Sequence, residues 1–120
     1  MASLKEQLQQ MTGEMEDVIA VGVVGMDGIT VATHNPSGSD TESFSAKFAM
    51  IMKLAQRSIN ELQQLGEFEE NLVETENAWV LTRFLNQHYY LGIAVSNQAT
   101  LGNVRMVASK YSDKIKGQLQ

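Results

Sequence analysis

Cysteine is absent from these 120 residues. Disulfides, thiol nucleophiles and thiolate metal sites are excluded together. Histidine is scarce: His34 and His88 fall in separate expected loops, with no nucleophile motif and no local set of ligands beside either. The Gly-Lys-Ser/Thr phosphate loop is missing, so nothing points to nucleotide hydrolysis by the chain itself. An excess of positive charge is missing too. The net charge of −5 argues against nonspecific nucleic-acid or anionic-membrane binding. No apolar run approaches the ~20 residues of a membrane span. The N-terminal stretch MASLKEQLQQMTGEMEDV lacks the continuous apolar centre of a secretion signal. These absences predict a cytoplasmic, non-enzymatic protein without metal, cofactor or membrane insertion. The length predicts one domain over residues 1–120.

What is present is organised around Phe44 to Leu65, FSAKFAMIMKLAQRSINELQQL, a stretch of good helix formers without Gly or Pro. Gly66 follows where helices commonly stop. At 100° per residue, Phe44, Phe48, Ile51, Ala55, Ile59 and Leu62 form one stripe that predicts the sheet-facing side. Met52 flanks it on one edge. Met50, Leu54 and Leu65 extend it on the other, with Lys47 and Ser58 interrupting. The apolar arc spans roughly 200°, twice what packing on one sheet requires. A second copy of the same helix is the expected cover.

The other elements follow from periodicity and turn chemistry. Ser3 and Glu6 form a capping-box pattern before Leu4, Leu8, Met11 and Met15, an amphipathic helix that Gly13 ends or bends. Docking on a sheet suits it better than a membrane surface, because it has no basic polar face. Val18 to Met26 is a continuous apolar run, expected as a central strand. Asp27-Gly28 predicts a two-residue hairpin turn into Ile29–Thr33. Gly22 and Gly25 lie inside the strand rather than opening a helix, which excludes a phosphate loop, and Gly22 is expected to admit a closely packed helix.

His34 to Asp40 reads as a loop in which Ser39, Asp40 or Thr41 caps the long helix. Glu67 to Glu76 is acidic, with strand character near Leu72 and Val73. It lacks the Asp/Asn series of a calcium loop and reads as a charged edge strand. Ala78 to Phe84 and Tyr89 to Val95 are further strands, the second apolar throughout. Thr100 opens a last helix whose stripe is Leu101, Val104, Ala108, Tyr111, Ile115 and Leu119, with Lys110, Lys114 and Lys116 at its C-terminal end.

The order helix, two strands, helix, three strands, helix defines the expected fold. It is an α+β, three-layer α/β/α sandwich with a five-stranded antiparallel sheet. The long helix covers one face, the two terminal helices cover the other, and the two most apolar strands are interior neighbours.

This order resembles the roadblock/dynein light-chain family, within the wider profilin-like folds. The resemblance covers essentially the whole chain and rests on GVVGMDGITVAT, the long helix and AVSNQATLGNVRMVASKY. It implies a homodimer whose long helices pack antiparallel and whose strand after that helix pairs with its mate. The implied interface is Lys47, Met50, Ile51, Leu54, Ser58 and Leu65, with Asn71, Leu72 and Val73 on the strand. It further implies a small Ras-like GTPase as partner, contacted through Ala46, Ala49, Lys53, Gln56, Arg57 and Asn60, with hydrolysis modulated and no catalytic residue supplied. A nucleotide-independent scaffold of the dynein light-chain kind is the alternative.

Overall fold

The computed structural model describes residues 2–119. It contains α1 (Leu4–Gly13), β1 (Val18–Gly25), β2 (Thr30–His34), α2 (Glu42–Asn60), a 3-10 turn (Gln63–Leu65), β3 (Glu70–Glu74), β4 (Ala78–Asn86), β5 (Tyr89–Ser96) and α3 (Leu101–Lys116). The five strands form one antiparallel sheet in the order β2-β1-β5-β4-β3. The two continuous apolar runs are interior neighbours, as the lack of a polar side on either requires.

Alternation along the strands separates two faces. Val21 and Val23, Leu81 and Leu85, and Leu91, Ile93 and Val95 meet α1 and α3 through Leu8, Met11, Val104, Ala108 and Ile115. Both helices present the expected stripes. Ser3 caps α1, its hydroxyl accepting from the Glu6 amide at 3.2 Å. Beyond α1, Glu14 accepts from Lys110 Nζ at 2.7 Å and from the Tyr111 hydroxyl, which ties the end of α1 to α3. The other face carries Val24, Tyr90, Thr82 and Phe84 towards α2.

Several expectations need correction. The β1–β2 loop has four residues, Met26-Asp27-Gly28-Ile29, rather than two. Gly28 N–H donates to Gly25 O, and Gly28 takes φ +90°. A type I turn closed by a left-handed glycine accounts for this. His34 is the last residue of β2 rather than part of a loop. The Thr41 and Thr100 side chains make no cap hydrogen bond, and Asp40 Oδ1 instead accepts from the Glu42 amide. A Cβ on Gly22 would meet Ala32 O and the Thr33 side chain of β2 first, so Gly22 does not serve close helix packing.

The largest correction concerns the long helix. It ends at Asn60, and Leu62 takes extended backbone before the 3-10 turn. Its buried residues are Ser45, Ala49 and Met52, and of the expected stripe Phe48 packs beside them while Ala55 and Ile59 are half-buried. Phe44, Ile51 and Leu62 are exposed. The helix is therefore rotated by roughly 90° from the expected stripe. The cause is bulk on the sheet: Tyr90 rises from β5, and its hydroxyl donates to Ser45 O at 2.6 Å. Only small residues fit above it, which selects Ser45 and Ala49.

Candidate interaction surface

The rotation decides what α2 offers to solvent. Lys47, Met50, Ile51, Leu54 and Ser58 fall on an arc diametrically opposite Ser45, Ala49 and Met52. Met50 is 68% exposed, Leu54 63% and Ile51 40%; Leu65, in the 3-10 turn, is 55% exposed. Single exposed apolar residues are ordinary, but four large ones on one helix and its exit form a patch. Phe44 borders it, stacked on Phe48 with ring centroids 4.4 Å apart.

The expected partner-binding set divides. Lys53, Arg57 and Asn60 are exposed on one flank of this arc. Ala46 and Gln56 are half-buried, with Ala46 against Gly28 at the hairpin. Ala49, at 2% exposure, packs into the sheet-side cluster and is not available to a partner, a correction that follows from the rotation. No ion pair involves Lys47, Lys53 or Arg57 among the described residues.

Met52 Sδ accepts from the Thr82 hydroxyl at 3.1 Å, and Ser45 lies over Tyr90. The helix thus runs from the β1–β2 hairpin across β5 to β4, towards the free edge at β3. On that edge Asn71, Leu72 and Val73 are half-buried. Leu72 packs on the α1/α3 side, while Asn71 pairs in register with Thr82 on the α2 side. Asn71 Nδ2 is buried without an acceptor among the described residues. Glu70 sits opposite Arg83 in register and forms an ion pair with Arg105 at 2.7 Å, so one glutamate of the acidic edge is already compensated. The α2 arc and the β3 edge are the two places where the expected interface residues lie. Met50, Leu54 and Leu65 face away from the sheet as expected, whereas the sheet-facing side of the helix was missed at the sequence level.

Among the described residues no group of three or more His, Asp or Glu side chains is placed to hold a metal ion. No helix among them is long and apolar enough to cross a membrane. The Tyr90 hydroxyl has its pKa pushed up to about 12, mainly by burial, with the nearby Ser45 side chain acting the other way. It stays protonated and structural.

One antiparallel sheet between a long helix and two terminal helices, with an apolar helix face left open, defines a small profilin-like α+β protein. The Roadblock/LC7 domain profile matches residues 4–95, and the chain belongs to that family. Among solved structures it is similar to a Roadblock/LC7 domain from Streptomyces avermitilis, with a TM-score of 0.89, 10% identity and 98% of each chain covered. It is similar to MglB of Myxococcus xanthus at a TM-score of 0.82 and 19% identity, over 94% of this chain and 91% of that one. Profilin II of Acanthamoeba castellanii shares the fold at a TM-score of 0.67 and 19% identity, covering 97% and 98%. No curated protein sequence matches the chain.

Proposed function

We propose that the protein is a non-enzymatic homodimeric adaptor that binds a small Ras-like GTPase and modulates its nucleotide hydrolysis. The exposed apolar arc of α2 carries this reading, because Met50, Leu54 and Ile51 point away from the sheet. Two antiparallel copies of α2 bury that arc. Pairing of β3 about Leu72 joins the two sheets. This pairing sets Glu70 against Glu74 of the second copy, a repulsive arrangement that Arg105 and Arg83 offset on the Glu70 side. Lys53, Arg57 and Asn60 then remain on the rim for the GTPase. Likeness in fold to MglB supports the assignment.

The test is gel filtration of the protein with a Ras-like GTPase from the same genome, loaded in turn with GDP and with a GTP analogue. A complex with the analogue alone is expected. Equal binding with both nucleotides makes the protein a nucleotide-independent scaffold, and no complex with either removes the GTPase reading.

A further inference from the structure

The sheet face beneath α2 is only partly covered. Over the part of β1 and β5 near Ala20 and Ala94, α2 contributes only Phe44 and Ser45 to the lining of an open space. A cavity of about 210 Å³ lies there, reached beside Ser39, Asp40 and Thr41. Its floor is set by register: Gly22 pairs with Gly92 and Ala20 with Ala94 across β1 and β5. Val24 and Tyr90, both buried, line it as well, as does the more exposed Phe44.

Ordinary packing does not account for the two glycines. Neither takes a positive φ. A Cβ on either would find its nearest neighbours at 3.4 Å, and these belong to β2 or to Tyr90 rather than to α2. Glycine inside a strand weakens it, and is expected where a turn, a bulge or a close approach demands it. Here the consequence of both glycines is space. An apolar cavity of about 150 Å³ is already large enough to take benzene, so this one has room for a fused ring pair. Asp40 is the one charged residue around the space, and it disfavours an anion at the mouth.

We propose that this cavity is a binding site for a small uncharged aromatic molecule of one or two rings, inserted edge-first over Gly22 and Gly92 between Phe44 and Tyr90. The site adjoins the exposed α2 arc at Phe44 but is independent of the GTPase reading.

Titration of the ¹⁵N-labelled protein with indole, followed by amide shifts, tests it. Saturable shifts centred on Gly22, Gly92, Ala94 and Thr82 are expected. Indole-3-acetate, the anionic counterpart, should bind at least about tenfold more weakly. Ala94→Leu fills the space and should abolish the response while leaving the elution volume unchanged; Ala20→Val is the second variant should the first fail to fold. Wild-type indole binding by a folded filled variant overturns the proposal, as do non-saturating shifts. Xenon moving these amides when indole does not would make the cavity a packing void. Shifts of the same amides on raising protein concentration without ligand would assign the space to a side chain of a second copy. Either result overturns the proposal.

Discussion

The two faces of the sheet are built from similar material to opposite ends. Among the described residues the apolar cluster on the α1/α3 face has sixteen buried members, and the one on the α2 face has four. The difference does not come from a shortage of apolar residues on α2. That helix turns Ser45 and Ala49 inward and Met50 and Leu54 outward, so its bulk lies in solvent. Burial of apolar surface contributes roughly 25 cal/mol per Å². One face has realised that contribution within the chain, and the other holds it available for association. The closed face should therefore govern stability, and the open face assembly.

The largest effect expected from breaking this contrast is on the closed side. Leu91 is fully buried between β5 and the terminal helices, and Leu91→Ala should lower the unfolding free energy by about 2–5 kcal/mol, measured by urea denaturation. Leu54→Ala should stay within about 0.5 kcal/mol when measured on the monomer. Equal losses at the two positions would mean that α2 is more closely packed than its exposure indicates. Next in size is Leu54→Arg, which places a charge at the centre of the outward arc. Gel filtration with light scattering should show a monomer at micromolar concentration, with the melting temperature of the isolated chain little changed. An intact dimer would move the interface elsewhere.

The closed face was legible in the residues because each of its helices has one apolar stripe, and a single stripe has a single solution. Leu8 and Met11, and Val104, Ala108 and Ile115, were placed correctly by spacing alone. Interior strands declared themselves by lacking polar alternation. The open face was not legible in the same way. With apolar residues over roughly 200° of α2, periodicity could not choose between neighbouring arcs. The choice was made by Tyr90, whose height above β5 admits only small residues. The cavity was hidden for a related reason: Gly22 and Gly92 lie 70 residues apart and become one feature only through the β1–β5 register.

The smallest expected effect separates the faces by pH. Lys110 donates a hydrogen bond to the Glu14 carboxylate and Tyr111 a second, and together they hold its pKa below the ordinary value of 4.5. Protonation is therefore harder in the folded chain than in the unfolded one. The contribution is complete above the ordinary value and is lost as pH falls through the lowered one. Glu14 is exposed, so the effect on global stability is small, and local protection of α1 is the better readout. Comparing the wild type with Glu14→Gln by hydrogen exchange should show less protected α1 amides in the variant at pH 6. That gap should narrow as pH drops below about 4.5, because protonation makes the wild type resemble the variant. Amides of α2 should show no such difference at any pH, since nothing on the open face touches Glu14. A gap that persists undiminished into acid would mean that side-chain shape, rather than the charge on Glu14, holds α1 to α3.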